Sequence, residues 1–85
     1  MDNWRYFGSY SGIKLPLNLV NPLAETDLGH RNTFMRARYD ASGRLVACEK
    51  MVYGEVHLAH AYAYEGDKLV RAEITMDDET TVLDF

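Results

Sequence analysis

Eighty-five residues with 47% apolar side chains and a formal charge of −4 make one small globular domain, too ordinary in composition for a disordered chain. The acidic balance argues against general nucleic-acid binding, and the single Cys48 rules out an internal disulfide framework. No Cys/His spacing matches a zinc site, no apolar run reaches the length of a membrane span, and no signal-peptide layout opens the chain, so a cytoplasmic protein is expected.

Residues 1–12 gather four aromatics and end on a Ser-Gly turn signal, which predicts a short strand over about residues 4–10. Only Arg5 accompanies these rings as a cation, so they are expected to line a core and not to stack on bases. From Ile13 to Val20 the pattern alternates, with Ile13, Leu15, Leu17 and Leu19 on one side, as in a half-buried strand. Pro16 cannot donate to a ladder and puts that strand at an edge. Asn21-Pro22 offers a helix cap and first position, and Gly29 a stop, for at most one short helix near residues 22–28.

The rest reads as consecutive strands: Asn32 to Tyr39, Arg44 to Tyr53, Glu55 to Tyr64, Lys68 to Met76, and a short last one from Thr80 to Phe85. The alanines and Leu58 between residues 55 and 64 would also suit a helix. The alternating Tyr62 and Tyr64, with Gly at both ends, favour strand. The fold class is therefore mainly β, a single antiparallel meander of about five to six strands, flat or curled.

Register follows from the turn Tyr39-Asp40-Ala41-Ser42-Gly43-Arg44-Leu45. Asp40 can bond to the chain two residues on and Gly43 tolerates positive φ, as in a type I turn closed by a left-handed glycine. That loop sets Asp40 against Arg44 and Tyr39 against Leu45. Continued without interruption, it sets Arg38 against Val46, Ala37 against Ala47, Arg36 against Cys48 and Met35 against Glu49.

Two faces result. The expected core face holds Phe34, Val46, Cys48, Ala59, Ala61, Ala63, Val70, Ala72, Ile74 and Met76, covered by the N-terminal aromatics and the Ile13–Leu19 segment. The other holds Met35, Ala37, Tyr39, Leu45, Ala47, Met51, Val56, Leu58, Tyr62, Tyr64 and Leu69, mixed with Glu49, His60, Arg71 and Glu73. Its tyrosines and apolar groups resemble a contact surface, and Leu58, Tyr62, Tyr64, Arg71 and Met51 are the candidate partner-binding residues. A second core layer made by curling of the sheet is the alternative.

On the same face His60 is expected opposite Glu73 and diagonal to Glu49, beside Tyr62. A carboxylate–imidazole pair there could bind a small ligand or do acid–base work; a satisfied cross-strand charge contact is the plainer reading. His57 and His60 point to opposite faces of a strand, so no shared metal and no cofactor is expected. No phosphate loop or nucleophile elbow is present. Residues 1–64 hold seven Lys/Arg against six Asp/Glu, a net of +1, whereas residues 65–85 hold two against seven, a net of −5. That acidic end is a solvated edge or a dock for a basic protein.

The turn at 39–45 resembles the YD-repeat units of large bacterial Rhs-type shell proteins, which implies hairpin geometry only; its echo at Tyr64-Glu65-Gly66-Asp67-Lys68-Leu69 departs from the pattern at Glu65 and Lys68. Through Tyr6-Phe7, Tyr10-Ser11-Gly12, Lys14-Leu15-Pro16-Leu17, Asn21-Pro22-Leu23, Arg31-Asn32-Thr33-Phe34 and Val52-Tyr53-Gly54-Glu55 the chain also resembles a group of small bacterial proteins of unassigned function. That resemblance implies a bacterial cytoplasmic protein. A protein partner or a homodimer is the expectation for function, with a ligand-binding or enzymatic site and a phage- or plasmid-type inhibitor as alternatives.

Overall fold

The computed structural model describes residues 4–12 and 14–85, and in it the Asp40 turn forms as its chemistry dictates. Asp40 Oδ1 accepts from the Ser42 and Arg44 amides, both at 2.9 Å, and Oδ2 accepts from Arg44 Nε at 2.8 Å. The Gly43 amide donates to the Asp40 carbonyl at 3.0 Å, with Gly43 at φ +83°. Arg44 then reaches the Gly66 carbonyl of the next hairpin turn and lies over the Tyr64 ring, so the two turns are tied together.

The strands are β1 (Arg5–Ser11), β2 (Asn18–Leu23), β3 (Thr33–Tyr39), β4 (Leu45–Val52), β5 (Glu55–Glu65), β6 (Lys68–Met76) and β7 (Glu79–Asp84). All neighbours are antiparallel in one open sheet of order β2-β1-β3-β4-β5-β6-β7. The chain is thus mainly β, with seven strands where five to six are expected. Residues 55–64 are strand, and the meander begins only at β3, because β1 sits between β2 and β3.

The N-terminal third departs furthest from the pattern. Residues 14–16 form a bend with a cis Leu15–Pro16 bond, and the edge strand starts at Asn18; Ile13 lies outside the described residues. Pro22 belongs to that edge strand, opposite Phe7, and the one helical element among the described residues is a 3-10 helix, Glu25–His30, with Gly29 inside it. Asn21 at φ 60° explains the shift: a left-handed Asn cannot cap a helix that starts on the next residue. Among the described residues no helix is long and apolar enough to cross a membrane.

Three β-bulges decide which side chains are buried. Val46 is an extra residue opposite the Arg38–Tyr39 step, His57 opposite Lys50–Met51, and Val70 opposite Ala63–Tyr64. Each moves the following residues to the other face, so Ala37 meets Cys48, Arg36 meets Glu49, Arg38 meets Ala47 and Met35 meets Lys50. Beyond the third bulge Tyr62 meets Ala72. The core is Ala37, Leu45, Cys48, Tyr62 and Ala72, packed by Phe7, Leu15, Leu17, Leu19, Tyr39, Tyr64 and Leu69. The expected faces are therefore corrected. Tyr62, Leu45 and Ala37 come from the side expected to be open, Cys48 and Ala72 from the side expected to be core, and Ala59, Ala61 and Ala63 lie outside the core cluster.

Candidate protein-interaction surface

The bulges undo the cross-strand pairs expected of a ligand site, although His60, Glu49 and Glu73 all border one groove. His60 lies opposite Ile74 and Cys48, whereas Glu73 lies opposite Ala61 and Glu49 opposite Ala59. His60 is thus on the buried face and both carboxylates are on the other. His60 Nδ1 stands 2.6 Å from the Tyr62 hydroxyl, which also accepts from the Leu17 amide at 3.3 Å. This chain of contacts fastens the residue 14–17 bend onto the sheet. Of the expected partner-binding residues, Tyr62 and Met51 are buried, Leu58 and Tyr64 are half-buried, and Arg71 is exposed. Tyr64 is held by its hydroxyl, which donates to the Leu45 carbonyl at 2.7 Å. The Tyr-rich face is closed by the chain's own leucines.

The opposite face is open. Its floor is Ala47 and the Ala59-His60-Ala61 run, and Trp4, Arg38, Glu49, Glu73, Thr75 and Thr80 border a groove of about 330 Å³. Arg36 and Arg38 stack on the Trp4 ring at 4.2 and 4.8 Å from its centroid, and Arg36 pairs with Glu49 at 2.5 Å. Their charges are spent on each other and on the ring, so the floor presents shape more than charge. The sequence held one signal for this cluster: two arginines at i and i+2 on β3, the same side of a strand.

The groove runs out to β7, where all six residues are exposed. Val82 lies opposite Glu73 and so shares the groove's face; Leu83 lies opposite Ala72 and points to the core side. Val82, Leu83 and Phe85 are 42%, 38% and 58% exposed, and Met76, at the hairpin end, 55%. Among the described residues no strand pairs with the outer flank of β7, which leaves a row of its backbone groups at the sheet edge.

The model of DUF6156, a family of unknown function, matches residues 1–85. The chain belongs to that family. Comparison with curated proteins and with solved structures gives no match. In this DUF6156 member the described residues bring together no group of three or more His, Cys, Asp or Glu that could hold a metal.

The buried titratable groups are all held uncharged. Burial lowers the His60 pKa below 6.5, and burial raises the Cys48 thiol to about 11 and the Tyr62 phenol above its usual value. A neutral His60 makes stability depend on pH. Because its folded pKa is the lower one, the unfolded chain takes up the proton first. Its contribution is complete above pH 6.5 and is lost as pH falls through the folded value, by at most about 1.4 kcal/mol per pH unit. Urea titrations at pH 7.5 and 5.5 should therefore show wild type losing more stability on acidification than His60→Gln. Equal losses in the two proteins would remove His60 as the cause.

Proposed function

We propose that this chain is a small protein-binding or accessory module that meets its partner through the β6–β7 hairpin and the groove beside it. One observation carries this reading: a fully exposed edge strand presents Val82, Leu83 and the adjoining Phe85 within four residues, whereas the exposed Tyr10, Tyr53 and Val56 lie on β1 and around the β4–β5 turn. Apolar groups exposed on both sides of one edge strand suit a contact surface, and the edge itself adds ready-made backbone hydrogen bonds. The inward-facing tyrosines support the fold, leaving recognition to the C-terminal end. The resemblance to small bacterial proteins and the lone reduced Cys48 suit a bacterial cytoplasmic setting.

The test is a photo-crosslinking amino acid placed at position 82 in cells that make the protein, with position 42 in the exposed Asp40 turn as control. A discrete heavier adduct from position 82 alone supports the reading. No adduct, or the same adducts from both positions, would overturn it.

A further inference from the structure

We propose that the partner is a second copy of this chain, with the two β7 strands pairing antiparallel about a twofold axis through Val82. The inference rests on the protein-binding reading and adds the identity and register of the partner.

The backbone of β7 sets that register. The Phe85 amide donates to the Val70 carbonyl at 3.0 Å, and Glu79 pairs with Met76 across the tight Asp77-Asp78 turn, both turn residues having positive φ. Alternate residues 79, 81, 83 and 85 therefore turn their backbone groups toward β6. Thr80, Val82 and Asp84 direct theirs outward. An antiparallel twofold must set outward residues against each other. With the axis at Val82, Val82 meets its own copy and Thr80 meets Asp84 of the second copy, giving about six hydrogen bonds, two for each facing pair.

Side chains favour the same axis. Thr81 faces Leu83 of the second copy, Glu79 faces Phe85, and no carboxylate faces another. Moving the axis to Thr81 brings Asp84 against Asp78 of the turn. Moving it to Leu83 sets Asp84 against the apolar Val82 in place of Thr80.

The two sheet edges are unlike in a way that points to pairing at β7. Edge strand β2 is guarded by Pro22 and by the left-handed Asn21. Strand β7 has no proline or lysine, and its register with β6 is unbroken by any bulge. Those are the devices that keep edges apart. What opposes pairing is charge, since residues 65–85 carry a net of −5 in each copy. Screening relieves that repulsion, so self-pairing tightens with salt, whereas a basic partner strand would be released by it. Strand-edge contact is small, which places the dissociation constant above about 1 μM.

Sedimentation equilibrium across a concentration series, at about 0.05 and about 0.5 M salt, tests this. Wild type should dimerise severalfold more tightly at high salt. Val82→Pro removes the central outward amide at a position where an edge tolerates proline, and should be a folded monomer by circular dichroism. Thr80→Lys faces Asp84 of the second copy and should tighten the dimer at low salt. A monomer under every condition, a dimer weakened by salt, or a dimer indifferent to both substitutions would overturn the proposal. A persistent monomer whose position-82 crosslinks join a different protein would overturn self-pairing alone and leave the binding reading standing. If position 82 yields no adduct, both fall.

Discussion

Tyr62→Ala is expected to cost about 3–5 kcal/mol, the range for removing a large buried aromatic side chain. Tyr62→Phe should cost about 1–3 kcal/mol, because it keeps the ring and deletes only the hydroxyl between Leu17 and His60. Tyr62 is 6% exposed and packs in the cluster with Ala37, Cys48 and Ala72. The ring fills the sheet's inner face, and the hydroxyl latches the bend that carries Leu15 and Leu17. Urea unfolding of both variants separates these contributions. If Tyr62→Phe matches wild type, the bend is held by its leucines and the hydroxyl is incidental.

The hairpin turns were open to sequence reasoning because their causes are local. An Asp that can bond two amides ahead and a glycine free to adopt positive φ determine the 40–44 loop without reference to any other strand. The strand order at the N-terminus is a different matter. Nothing in residues 4–23 says that β1 will insert between β2 and β3, since that choice depends on which edge of the meander is left to cover.

The faces and cross-strand pairs around the candidate site were misread for one physical reason, the bulges. Val46, His57 and Val70 carry no glycine or proline to mark an irregularity, and all have side chains at home in a strand. A signal nevertheless existed in the charges. An uninterrupted register buries Met35 against Glu49 and sets Arg36 against Cys48. One extra residue at Val46 exchanges these for Arg36 with Glu49 and Ala37 with Cys48, satisfying charge and apolar group together. A face that mixes tyrosines with four charged or titratable groups is itself a sign of wrong register. The Val70 bulge likewise removes the apparent pairing of His60 with Glu73, whose side chains the structure turns to opposite sides of the sheet.

Two substitutions one position apart in the β5–β6 pairing test this register directly. Ala72 is 0% exposed beside Tyr62, whereas Ala61 is exposed in the groove, opposite Glu73. An uninterrupted register places both alanines on one face and predicts similar outcomes. With the bulge at Val70, Ala72→Lys forces an ammonium into the core next to Cys48 and Tyr62. No carboxylate is at hand there, because Glu49 and Glu73 are on the other side. An unpaired buried charge costs several kcal/mol, a large part of the total stability of so small a domain. Ala72→Lys should be unfolded at room temperature by circular dichroism. Ala61→Lys instead gains a cross-strand carboxylate and should stay within about 0.5 kcal/mol of wild type. Its only expected loss is room in the groove. If both variants fold equally well, or both fail, the Val70 bulge and the face assignment built on it are wrong.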